Sequence, residues 1–164
     1  MTQNILKAGP PSCAANVRPD DGKILDRCTA LGLPLLKAVQ IAAASDDKDP
    51  LSLLRLLNLD FLTFEPLHQP TKRWLEMAAQ TSGVSYRGDF TGEMLEQALL
   101  SGEVPDAYRA HIGHFLDEAP LEYVVMAAEE AAHRNNLAMT QIWRNIAQLA
   151  TTHSYNRRAL WVAG

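Results

Sequence analysis

The sequence predicts an all-α protein, a compact multi-helix bundle of about seven short to medium helices behind an irregular lead-in. Alanine and leucine occur 23 times each, against 7 valines and 6 isoleucines, a balance that favours helix over sheet. Apolar residues also recur at spacings of three and four along most of the chain, the period of one buried helical face. Proline, glycine and capping residues fall between those stretches, where helices begin and end.

Residues 1–20 hold Gly9, Pro10, Pro11 and Pro19 without sustained periodicity and read as a flexible N-terminal segment. Residues 21–164 are then a single α-helical domain. The first helix starts after Asp20 or Asp21, turns Ile24, Leu25, Cys28 and Leu31 inward, and stops at Gly32. Pro34 fits a first helical turn, where its missing N–H costs nothing, and Leu35, Leu36, Val39, Ala42 and Ala43 form the next inward stripe. After a break at Ser45-Asp46-Asp47, Asp49-Pro50 is a start signal for the segment Leu51 to Leu57. That segment is apolar nearly all round, which predicts a place at the centre of the core or beneath a partner.

Residues 58–69 read as irregular. Gln69-Pro70 opens a helix through Trp74, Leu75, Met77 and Ala78 that ends at Ser82-Gly83. Thr91 caps the next, with Glu93 and Glu96 near its positive dipole end and Met94, Leu95, Ala98 and Leu99 inward. Pro105 opens a helix through Tyr108, His111, Ile112, Phe115 and Leu116, closed by Ala119-Pro120 because the residue before proline avoids helical geometry. Leu121, Val124, Val125, Ala128 and Ala132 form one further stripe, and Leu137, Ile142, Ile146 and Leu149 another. Asn135-Asn136 between them permits either a left-handed cap or one long helix.

The net charge of −4 conceals a strong polarity. Residues 1–88 carry 10 basic and 9 acidic side chains, residues 89–130 carry 1 and 10, and residues 131–164 carry 4 and none. The net charges are thus +1, −9 and +4, and the last 76 residues are where function is to be sought. No stretch approaches the about 18 consecutive apolar residues of a membrane span. The N-terminus also lacks the basic-then-apolar layout of a secretory signal, so a cytoplasmic location without membrane contact is expected.

Two spacings are compatible with metal chemistry. His111-x-x-His114 lies four residues before Glu118, and Glu130-Ala-Ala-His133 has the Glu-x-x-His spacing of carboxylate-bridged bundles. That architecture needs two such motifs and two further glutamates, and one motif is present. Gly113 also weakens the helix that would hold the imidazoles. A metal-dependent bundle enzyme is therefore kept as an alternative with no metal or cofactor assigned. His111 and His114 are expected as half-buried polar residues, with Glu129, Glu130 and His133 on a solvated face. Cys13 and Cys28 match neither a disulfide framework nor a zinc site. No Gly-x-Ser-x-Gly, phosphate loop or cysteine-protease context is present, so no catalytic residue is assigned.

The segment from Arg134 onward combines arginines with aromatic residues and contains no acid. Those residue types dominate interface hot spots, and Trp143, Arg144, Arg157, Arg158 and Trp161 are assigned to partner binding. The reading is a non-enzymatic accessory or adaptor protein. It acts through the acidic region 89–130 and the aromatic-basic tail on another protein, or on a second copy in a homodimer. A helical small subunit of a nucleic-acid-binding complex is the second alternative, and it requires Arg144, Arg157, Arg158, Lys72 and Arg73 to share a basic groove. Four tail charges are few for that task. In the competing intramolecular arrangement the tail folds back, and Arg144 and its neighbours meet Glu122, Glu129 or Glu130 in pairs worth ~0–1 kcal/mol each. If the tail serves a partner, Trp161→Ala with Arg158→Glu weakens association and leaves the melting temperature nearly unchanged.

Overall fold

The computed structural model describes residues 19–45, 51–67, 73–83 and 89–162. Cys13, Lys72, most of the N-terminal lead-in and the start signals at Asp49-Pro50 and Gln69-Pro70 lie outside them. Within the described residues the protein is all-α, with helices α1 (Pro19–Ala30), α2 (Leu35–Ala43), α3 (Ser52–Leu56), α4 (Trp74–Gly83) and α5 (Gly92–Ser101). A 3₁₀ turn (Asp106–Tyr108) then leads into α6 (Arg109–Glu118), α7 (Leu121–Arg134), α8 (Met139–His153) and α9 (Arg158–Val162). The described helices number nine rather than about seven. Asn136 takes a left-handed conformation (φ 53°), which separates α7 from α8, and the tail closes with a helix of its own.

The centre of the bundle is α7, against which α3, α4, α5 and α8 pack. Val124 to Ala128 are buried without interruption, as are Ala131 and Ala132. Four alanines in two turns let neighbouring helices approach closely, so a helix of modest hydrophobicity occupies the middle. Of the segment Leu51–Leu57, expected at the centre of the core or beneath a partner, Leu54, Leu56 and Leu57 are in the core and Leu51 is exposed, and α3 is only five residues long. The short segment flanks α7, which has the length to meet several partners at once.

Local signals set several helix ends. The Thr91 side chain accepts the Met94 N–H at 3.2 Å, and Gly102 ends α5 with φ 75°. The carbonyls at that end are bonded from α8, where Asn145 Nδ2 donates to Leu99 O (2.9 Å) and Leu100 O (3.0 Å) and Gln148 Nε2 donates to Gly102 O (3.0 Å). Gly92 is a matter of space: a Cβ there would stand 2.9 Å from the Glu76 backbone nitrogen, so glycine allows α5 to begin against α4.

The tail is folded onto the domain. Asp117 near the end of α6 accepts Ser154 Oγ (2.5 Å), the Tyr155 N–H (2.9 Å) and the Arg157 N–H (3.1 Å). Trp161 is 6% exposed and donates its indole N–H to Leu116 O at 2.8 Å. The expected insensitivity of the melting temperature to Trp161→Ala is therefore corrected, since this ring belongs to the core.

Several residues placed inward by periodicity face outward: Leu25, Leu35, Leu36, Val39 and Leu137. On α2 Ala42 is buried as expected, together with Ala38 and Ile41. The helix lies on the domain by its alanine face and presents its leucines to solvent.

Candidate functional site

Leu36, one of the outward leucines of α2, borders a groove. Its floor is made by Trp143 of α8 and Trp161 of α9, whose rings are near parallel (6°) with centroids 6.4 Å apart. Both indoles are anchored, because Trp143 Nε1 donates to Leu31 O at 2.7 Å while Trp161 is held by Leu116. Gly32 shapes the near end. Its φ of 64° is a conformation that side-chain-bearing residues rarely adopt, and a Cβ there would meet the Met139 Cβ at 3.0 Å. The turn between α1 and α2 can thereby lie directly on α8.

The groove has a volume of about 470 Å³, with Leu36, Lys37 and Gln40 on one wall, Thr140, Arg144 and Ala147 on the other, and Leu160 and Val162 at the tail end. Leu36 is 72% exposed. Lys37 and Arg144 are the charged residues among the described lining, and no acid is among them. Burial pushes the Lys37 ammonium below its usual pKa, which fits a stem lying along apolar surface. Arg144 Nη1 bonds Gln141 Oε1 at 2.8 Å. Together these groups make an apolar trough lined by Trp143 and Trp161 with a cationic rim, residue types enriched in binding hot spots.

Of the five residues assigned to partner binding, the structure brings Trp143, Arg144 and Trp161 to this groove. Arg157 and Arg158 lie elsewhere. Arg157 Nη1 bonds Ala119 O at 2.6 Å beside Glu118 and Glu122. Arg158 bonds Ser154 O at 2.7 Å and stands over the Tyr155 ring at 5.6 Å. Arg73 is in a further cleft with Glu76, Glu96, Glu130 and Arg134. Of the described arginines required for a shared basic groove, Arg73, Arg144 and Arg157 thus line three different clefts. Leu36, Lys37 and Val162 were not anticipated as site residues. The signal for them was present in Leu35-Leu36 with Val39, which gives a nine-residue helix more apolar circumference than one buried face uses.

The acidic region is largely occupied within the domain. Glu96 accepts Arg134 Nε (3.0 Å) and Asn135 Nδ2 (2.8 Å). Glu129 takes the Arg27 guanidinium through both oxygens (2.6 and 2.8 Å), and Glu130 accepts the Leu75 N–H at 2.7 Å. Glu129 and Glu130 are therefore engaged away from Arg144, Glu122 lies in the cleft with Arg157, and the expected solvated face for Glu129 and Glu130 is corrected. Charge opposition between the last two segments of sequence is realised by Arg134–Glu96, whereas Asp117 holds the tail through the Ser154 hydroxyl and backbone N–H groups. Burial raises the Asp117 carboxyl, but the hydrogen bonds from Ser154 and from the backbone at 155–157 outweigh it and hold the group below the usual carboxylate range.

The histidine spacings do not converge. His111 is fully buried, with its ring stacked on Phe90 (centroids 5.1 Å) and edge-on to Tyr108 (5.6 Å), so it is more deeply placed than half-buried. Burial, with a smaller contribution from His114, pushes its pKa down. His114 faces Glu118 at 3.4 Å, and His133 is exposed, 4.0 Å from Glu129. Among the described residues no group of three or more His, Cys, Asp or Glu side chains is arranged to hold a metal ion. Cys28 is buried in the core, and desolvation raises its thiol pKa despite the neighbouring Arg27, which disfavours a nucleophilic thiolate. No described helix is long and apolar enough to cross a membrane.

No protein-family model, no curated protein and no solved structure matches this chain.

Proposed function

We propose that the protein is a non-enzymatic adaptor that docks a partner protein in the groove between α2, α8 and α9. The single observation that carries this reading is that the exposed Leu36 of α2 lines the same groove as the anchored Trp143 and Trp161. Leu36 (72% exposed), Val39 (44%) and Leu35 (40%) are costly to leave in water, and such patches mark interaction sites. The occupant is a segment that presents apolar side chains to the trough and carboxylates to the rim, as charge complementarity with Lys37 and Arg144 requires. Leu36 and Trp143 supply most of the contact, while the two cations set orientation.

The test is site-specific photo-crosslinking from position 40, on the groove wall, in the native host. Wild-type protein is expected to give a discrete adduct that Leu36→Asp and Arg144→Glu each abolish, with unchanged circular dichroism. An adduct indifferent to both substitutions overturns the reading. An adduct at twice the chain mass, containing this chain alone, replaces the foreign partner by a second copy.

A further inference from the structure

We propose a second docking site, of opposite charge, along the outer face of α5, which takes an extended protein segment carrying a basic residue next to apolar ones. It does not rest on the groove between α2, α8 and α9 and stands or falls separately.

The site is a cavity of about 570 Å³ between α5 and the Glu103–Tyr108 turn. Its apolar wall comes from Phe90, Met94, Val104 and Tyr108. Phe90 and Tyr108 are 5.8 Å apart, centroid to centroid, and Phe90 is backed by the stacked His111 ring, so the wall is braced from behind. The acidic rim is Glu93 and Glu103, and no Lys, Arg or His is among the lining residues. An aromatic wall beside carboxylates is the arrangement that receives a guanidinium or ammonium, through cation–π attraction and charge-assisted hydrogen bonds.

The shape selects a segment of chain. Glu93, Gln97 and Ser101 follow one another along the groove at helical spacing of four, a run of about 12 Å at 1.5 Å per residue. That length matches roughly four extended residues. Both acids sit on fixed backbone. Glu93 lies in the first turn of the Thr91-capped helix, and Ser101 Oγ bonds both the N–H (3.2 Å) and the carbonyl (3.1 Å) of Glu103. Glu93 also borders the cleft that holds Arg73 and Arg134, but Arg134 is bonded to Glu96, and Glu103 does not line that cleft. Glu96, Asp117, Glu129 and Glu130 are bonded within the domain, whereas Glu93 and Glu103 line an apolar groove, with Glu93 also near enough to favour the charged form of Arg134.

The experiment titrates ¹⁵N-labelled full-length protein with acetyl-Leu-Arg-Leu-Arg-amide and, as control, acetyl-Leu-Glu-Leu-Glu-amide. The arginine peptide is expected to shift the amides of Met94, Gln97, Ser101, Val104 and Tyr108, and the glutamate peptide is not. Glu93→Gln with Glu103→Gln should weaken binding roughly five- to tenfold, as loss of two exposed charge contacts implies. A similar loss is expected at about 1 M salt, where the Debye length is roughly 3 Å. Both carboxylates are exposed, and an unchanged amide spectrum of the double variant confirms that it folds. Equal binding of the two peptides, shifts mapping to α2 and α8, or no saturable shift at millimolar peptide overturns the proposal.

Discussion

Trp143 and Trp161, 18 positions apart in the chain, lie with ring planes 6° apart and with both indole N–H groups committed to backbone carbonyls of other segments. Both rings are thereby held in place, so a segment docking in the groove as proposed would not have to order them. The same bonds tie the tail to α6 and the turn after α1 to α8, so the floor is also a structural joint.

Trp161→Ala should destabilise the fold by about 3–5 kcal/mol, the range for emptying a buried aromatic site. At about 2–4 °C per kcal/mol for a domain of this size, differential scanning calorimetry should record a drop of roughly 6–20 °C. Leu36→Ser, on an exposed position, should stay within about 0.5 kcal/mol of wild type. The contrast separates the joint from the rim of the same groove.

Asp117→Asn should loosen the tail and remove one component of acid sensitivity. Its folded pKa lies below the unfolded value of 3.8, so the folded state binds fewer protons over that interval. The stabilisation is complete above the unfolded pKa and is lost as pH falls through the depressed folded value. Chemical denaturation between pH 6 and 2.5 should show the wild-type decline below about pH 4 and a shallower one in the variant.

His111 acts in a higher window with the same sign. Burial lowers its folded pKa below 6.5, so the unfolded chain takes up a proton that the native state refuses. Stability should therefore fall as pH drops from about 6.5. His153, lowered by burial and by Arg109, adds to this slope, and His111→Phe should reduce it without abolishing it. An NMR titration of the His111 ring is the direct check, with its midpoint expected below that of a solvent-exposed histidine.

Asn145→Ala should cost about 1–3 kcal/mol, because the carbonyls of Leu99 and Leu100 lose a buried donor that water cannot readily replace. Amide exchange in the last turn of α5 should accelerate in parallel, while exchange in α1 and α2 should not.

The helices were legible because their determinants are local. Thr91 caps where it stands, Ala119-Pro120 breaks the chain by sterics, and the stripes of α6 and α7 are wide and regular. The choice between one helix and two after Arg134 was not legible, because Asn136 tolerates both conformations and packing against α7 selects one. The site was half legible. Its indoles and Arg144 announced themselves as aromatic-basic tail residues, whereas Leu36 and Lys37 were hidden in what read as an inward stripe.

By itself the sequence determined the helical class, most helix boundaries and the segregation of charge, all of which depend on residues within a turn or two of each other. Only the tertiary structure decided which face of α2 is buried, that α7 is the central helix, and that the acids of 89–130 are mostly spent inside the domain. Periodicity states that a helix has an apolar side, but small side chains permit closer approach than large ones. On α2 that geometric preference placed Ala38 and Ala42 inward beside Ile41 and left Leu35 and Leu36 exposed.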